Sequence, residues 1–162
     1  MFVCSIRAST IKFFSLITIL CIIAFIIASS SSGATVYASA DGTEIKYGGI
    51  RDNDDRVAFI RCFGLEVVEE PLEEESFVMP KNFDKIILGY NQLQKEQGLD
   101  LEKYTRKRVT HYSYKVTNYD CDSEVHVNLL MHRSKVIAAD ISSTEKDGFV
   151  LPLTGIDPSK IK

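Results

Sequence analysis

No stretch of this chain carries a nucleophile, metal or phosphate motif of useful specificity. Its Ser, His and Asp residues follow no order that builds a hydrolytic triad, no glycine-rich phosphate loop is present, and no two carboxylates pair as acid and base. Tryptophan is missing, while seven Tyr and nine Phe keep the aromatic load ordinary. Cysteine is scarce: Cys4 and Cys21 fall near the N-terminus, Cys62 and Cys121 far downstream, at spacings that match no zinc-ligand pattern. A Cys62–Cys121 disulfide is allowed outside the cytoplasm; without it, Cys62 reads as a buried helix thiol and Cys121 as a loop thiol. Positive charge is not in excess either. Setting aside Arg7 and Lys12, the remainder holds 17 basic and 22 acidic residues, a net charge of −5. Nucleic-acid binding, which rewards clustered positive charge, is therefore not expected. Nothing implies a cofactor.

Charge is also missing from 28 consecutive residues, 13–40. Within them, residues 13–28 (FFSLITILCIIAFIIA) are almost wholly apolar, with Arg7 and Lys12 just before. A secretory signal has a basic start, a short apolar run and a small-x-small cleavage site. A membrane helix needs about 20 residues. Ala38-Ser39-Ala40 resembles a cleavage site but lies far beyond Ala28. Leu20, just before Cys21, argues against lipidation. The run has no polar face, so a buried soluble helix is a poor alternative. An uncleaved anchor is the expected reading. Lys and Arg resist translocation, so the N-terminus stays cytoplasmic and the domain lies outside. The expected organisation is a cytoplasmic tail (1–12), a transmembrane anchor or uncleaved signal (13–33), a flexible spacer (34–51), an extracytoplasmic α+β domain (52–153) and a C-terminal tail (154–162).

Residues 53–63 read as a helix capped by Asn53, with Asp54 and Asp55 at its positive end and Gly64 closing it. A strand is expected at 65–68. The glutamates around Pro71 read as a solvated loop without the spaced ligands of a calcium site. Phe77 and Met79 mark a short strand that Pro80 stops. The best helix covers 82–97, with Phe83, Ile86, Ile87, Tyr90, Leu93 and Gln94 on one face. Strands follow at 110–118, 125–132 and 136–142. The last is apolar on both sides, as in a strand covered on both faces. The fold class is α+β: a small antiparallel sheet with two helices packed on it, in the order α-β-β-α-β-β-β, preceded by one N-terminal transmembrane helix.

Three sets of residues invite chemistry. If Asn118 pairs with Val125, His111 falls opposite His132, near His126, as weak candidate metal ligands; one residue of slip removes the pair. Asp140 is the odd residue in an apolar strand and must be hydrogen-bonded, paired or neutral. Raised-pKa acid chemistry competes with the expected structural role, a carboxylate depressed by bonds from the 146–149 turn. Lys103, Arg106, Lys107 and Arg108 cluster before the first long strand and suit an anionic polymer or lipid headgroups, or else form a solvated edge.

Several stretches resemble the bacterial domain-of-unknown-function family 4830 of Gram-positive Firmicutes. They include Arg56-Val57-Ala58-Phe59-Ile60, Phe63-Gly64-Leu65-Glu66-Val67, Met79-Pro80-Lys81-Asn82-Phe83-Asp84, Tyr90 through Gly98, Asp100-Leu101-Glu102-Lys103-Tyr104, Tyr112-Ser113-Tyr114, Asn118-Tyr119, Val136-Ile137-Ala138-Ala139-Asp140 and Asp147-Gly148-Phe149. The chain departs from the pattern at Leu65, where Trp is usual, at Thr105-Arg106, and at Ala138-Ala139, where Gly-Gly is usual. The resemblance implies a membrane-tethered bacterial domain and supplies neither an activity nor site residues. A membrane-anchored binding or interaction module, meeting an envelope protein or an anionic polymer, is the leading expectation. An envelope enzyme using Asp140 with a histidine, or a secreted regulatory or inhibitor-like domain after cleavage, are the alternatives.

Overall fold

The computed structural model describes residues 36–38, 44–145 and 148–162. The apolar run at 13–28 and its basic flank lie outside them. No helix among the described residues is long and apolar enough to cross a membrane.

A five-stranded antiparallel meander organises the fold. Its strands are β3 (Glu73–Val78), β4 (Arg108–Lys115), β5 (Val125–His132), β6 (Lys135–Ser143) and β7 (Val150–Pro152), in that spatial order. A separate hairpin, β1 (Val36–Ala38) with β2 (Glu44–Lys46), precedes them. Helix α1 (Asn53–Arg61) and helix α2 (Lys85–Glu96) cover opposite faces of the sheet. On one face, Tyr114, Val127, Leu129 and Ile141 pack with Val57, Phe59 and Ile60 of α1. On the other, Val109, Leu130 and Ala138 pack with Met79, Leu101 and Tyr90. Strand β6 is buried at every position from Val136 to Ile141 because both faces are covered. An α+β fold with two helices on an antiparallel sheet is thus what forms.

Several boundaries differ from the sequence reading. Residues 44–50 are core rather than spacer: Ile45, Tyr47 and Ile50 are buried. Tyr47 O accepts from Val136 N at 2.8 Å, and Gly49 N donates to Ser134 O at 2.9 Å, which ties the segment to the β5–β6 turn. Residues 154–162 are not a loose tail, since Asp120 N donates to Lys160 O at 2.7 Å and Ile161 packs on the core. The expected strand at 65–68 shrinks to one bridge, Val67 to Val116. The glutamate run becomes the edge strand β3, exposed at all six positions.

The caps fall on neighbouring residues. Asp52 rather than Asn53 caps α1, accepting from Asp55 N at 2.9 Å. Asp84 rather than Asn82 caps α2, accepting from Ile87 N at 2.9 Å. Gly98, at φ 74°, turns the chain out of α2 in a conformation side chains resist, and Leu99 folds back into the core.

The buried face of α2 follows the expected one at Phe83, Ile87, Tyr90, Leu93 and Gln94, and departs from it at Ile86 and Asn91. Ile86 is 81 % exposed, whereas Asn91 and Gln94 are buried. The sheet and the following turn leave backbone groups open, and these side chains close them. Asn91 Oδ1 accepts from Leu101 N at 2.7 Å, and Gln94 Oε1 accepts from Ala139 N at 2.9 Å. Each of those donors would cost about 1–3 kcal/mol if left unpaired.

Candidate functional site

A pocket of about 470 Å³ opens between α2 and the sheet. Met79, Ile87, Leu101 and Leu130 form apolar walls, with Phe77 of β3 and Val150 of β7 at the two sheet edges. Asp140, Asn128, Tyr90, His111 and Ser142 bring the polar groups. A mostly apolar cavity with a few convergent polar groups is what small-molecule sites look like.

Sheet register assembles the floor. Asn128 of β5 pairs directly with Asp140 of β6, and Ser113 of β4 lies on the other side of Asn128. Residues at these positions point to the α2 face because alternate side chains share a face. Tyr90, one turn before Gln94 on α2, descends onto the same spot. Its hydroxyl donates to Asp140 Oδ1 at 2.6 Å. Asn128 Nδ2 donates to Asp140 Oδ2 at 2.8 Å and to Ser142 Oγ at 3.0 Å.

Burial pushes the Asp140 carboxyl above its ordinary range, against the two hydrogen bonds and the electrostatic influence of His111, which pull it down. Burial, followed by the charge of Asp140, holds the Tyr90 hydroxyl well above its usual value. The expected donors at the 146–149 turn are not the ones used. Lys146 lies outside the described residues, and Phe149 N donates to Ser143 Oγ instead. Side chains of α2 and β5 reach the carboxyl, and desolvation outweighs them, so the expected depression becomes a rise.

The histidines do not form a metal site. His111 pairs with Leu130 rather than His132. The register moves because Asn118 leaves the β4–β5 ladder to bind the chain after α1: its Nδ2 donates to Gly64 O at 2.9 Å, and its Oδ1 accepts from Glu66 N at 2.8 Å. Val116 N then meets Val125 O at 2.8 Å. His132 Nδ1 sits 2.8 Å from Arg108 O, and His126 Nε2 sits 2.7 Å from Glu124 Oε1. Among the described residues no group of His, Cys, Asp and Glu is arranged to hold a metal ion. Cys62 and Cys121 are both free and exposed, so they form no disulfide with each other, and Cys62 is not buried. A hydrogen bond with Ser123 holds the Cys121 thiol below its ordinary range.

The basic residues stand outside the pocket. Lys103 Nζ lies 3.9 Å from Asp100, and Lys107 Nζ lies 4.8 Å above the Tyr104 ring. Arg106, at φ 62°, turns the chain so that its N–H donates to Met79 O at 2.8 Å. With Arg108 these side chains are exposed at the start of β4. The structure therefore unites Asp140 with His111 and separates both from Lys103, Arg106, Lys107 and Arg108. Sequence reasoning missed Tyr90 and Asn128 as site residues. Asn128 had no signal, because alternation puts it on the same side of β5 as His126 and His132; its link to Asp140 needs the register.

Residues 61–141 match the family described as Domain of unknown function (DUF4830). The chain belongs to this family. The matched stretch of DUF4830 holds Tyr90, His111, Asn128 and Asp140, and ends one residue before Ser142. No curated protein and no solved structure matches the chain.

Proposed function

We propose that this DUF4830 chain is a membrane-anchored, extracytoplasmic binding module of the bacterial envelope, and that the pocket beneath α2 holds its ligand, a small and largely apolar molecule. The pocket carries this reading: about 470 Å³ of mostly apolar space ending on one buried carboxyl. The uncharged stretch at 13–40, with Arg7 and Lys12 before it, supports the anchor and its orientation. The exposed Lys103, Arg106, Lys107 and Arg108 support contact with an anionic polymer or an envelope protein at a separate surface.

Ligand-observed and methyl NMR on the full chain in phospholipid nanodiscs test the pocket. Water-soluble aromatic probes such as 2-phenylethanol should shift the Met79 and Leu130 methyl signals saturably, and Leu130→Trp should abolish the shifts by filling the space. Saturable binding that leaves those two residues unmoved would sink the assignment.

An envelope enzyme using Asp140 as acid and a histidine as base is the second reading, because the same pocket holds Asp140 and His111. It expects the full chain to turn over a panel of chromogenic esters and amides, and Asp140→Asn and His111→Gln each to abolish that turnover. Turnover surviving both changes would remove it.

A further inference from the structure

The floor of the pocket holds a charge requirement that its walls do not meet. Asp140 is 3 % exposed, and its two oxygens each accept one hydrogen bond, from the Tyr90 hydroxyl and the Asn128 amide. Both donors are neutral. A carboxylate offers roughly four acceptor positions, so acceptor capacity remains after those two bonds. Among the described residues no Lys or Arg side chain forms an ion pair with Asp140. Helix α2 presents Tyr90 to it, β4 presents His111, and β5 presents Asn128. Strand β6 adds Ser142, β7 adds Pro152 and Val150, and β3 adds Glu75 as the cross-strand neighbour of His111. Among the described residues around the carboxyl only His111 can bring positive charge, and it makes no hydrogen bond or ion pair to the carboxyl.

A buried carboxylate without a counter-charge is expensive to keep. Hydrophobic residues would fill the same space at lower cost, yet Tyr90 and Asn128 are both spent on holding this group as an acceptor. We propose that the pocket binds a small amine, its ammonium group seated on Asp140 and its apolar body against Met79, Ile87, Leu101 and Leu130. The inference rests on the pocket being the ligand site and adds the class of ligand. An ammonium donates to the acceptor positions left open and supplies the missing charge, which makes the hydrogen bond charge-assisted. A carboxylic acid is excluded by the same geometry: the nearest donors already point at Asp140, and two carboxyl groups repel. A neutral alcohol fits but brings no charge.

Three probes with a shared phenylethyl body separate these cases: 2-phenylethylamine, 2-phenylethanol and 3-phenylpropionate, titrated against the full chain in nanodiscs near neutral pH with the Met79 and Leu130 methyl signals as the readout. The amine should bind more tightly than the alcohol by about tenfold or more, with the acid weakest. Asp140→Asn should bring the amine to the level of the alcohol, a loss of about tenfold or more in its advantage. If the alcohol or the acid binds as tightly as the amine while all three shift Met79 and Leu130, the pocket stands and the amine assignment falls. If none shifts those residues, both fall. An amine preference that survives in Asp140→Asn places the ammonium elsewhere and overturns the proposal.

Discussion

Asp140 shows how one residue can run against the stability of its own fold. Its pair of hydrogen bonds favours the charged form, and burial disfavours it more. A carboxyl whose folded pKa lies above its unfolded value makes a favourable contribution that is complete below the unfolded value, about 4. That contribution is lost as pH rises through the folded pKa. The sign is opposite to that of Glu124 or Asp157, whose carboxyls are held low by hydrogen bonds from Lys115 and from Ser159. Asp140→Asn removes the titration and leaves Tyr90 and His111 in place. Relative to the variant, wild type should therefore lose stability as pH rises from about 4 toward neutrality. Urea midpoints for both proteins across that range measure it. A wild type that gains on the variant with rising pH would show that Tyr90 and Asn128 outweigh burial. From the sequence alone, Asp140 was legible as an anomaly, because an acid in an apolar strand has to be explained. The identities of its donors were not, because Tyr90 lies 50 residues away and Asn128 meets it only through the register.

At the scale of elements, α2 is where periodicity misleads. Its apolar positions made Ile86 a core residue, and the helix instead leaves Ile86 outside and turns Asn91 inward beside the expected Gln94. Periodicity measures the gain from burying apolar surface; it does not see an unpaired N–H on a strand far along the chain. Gln94→Ala leaves Ala139 N–H unpaired and should destabilise the domain by about 1–3 kcal/mol. Ile86→Ala should change stability by less than about 0.5 kcal/mol, as an exposed position does. Thermal or urea unfolding of the two variants checks the pair, and the reverse ranking would restore the apolar face. Strands β4, β5 and β6 were legible because their alternation is regular and their lengths suffice. Strand β3 was legible only at its end, where Phe77 precedes Pro80, because Glu73, Glu74 and Glu75 carry the composition of a loop while the backbone pairs with β4 from Glu73↔Ser113 to Val78↔Arg108. The β4–β5 register was lost to a side chain. Asn118 draws its own segment away to Gly64 and Glu66, and nothing local announces that.

For the whole molecule, the domain begins earlier than its charged sequence suggests. Tyr47 is fully buried, packs edge-on against Phe59 at 5.2 Å, and its segment pairs with the β5–β6 turn. Tyr47→Ala should cost about 3–5 kcal/mol, as large aromatic truncations do. A chain starting at Asp52 should lose cooperative unfolding relative to one starting at Glu44. Equal denaturation midpoints for those two lengths would return residues 44–51 to the role of spacer. The proposed location has its own outcome: the full chain should pellet with membranes, resist carbonate extraction and be digested by protease added outside intact spheroplasts. A protected domain would reverse the orientation argued from Arg7 and Lys12.

The edges of the sheet set a limit on what the domain does to copies of itself. One edge is β3, with Glu73, Glu74 and Glu75 in a row; the other is β7, three residues long and ending at Pro152. An open strand edge templates the addition of another strand unless charge or shortness prevents it. A second copy approaching β3 brings three negative charges against three, and at β7 it finds almost no ladder to extend. Crowding should therefore leave the domain dispersed, a property held by three side chains rather than by the core. Replacing Glu73, Glu74 and Glu75 with Thr keeps the strand and removes the repulsion, so the polymerisation threshold should fall while the folded stability of a dilute sample barely moves.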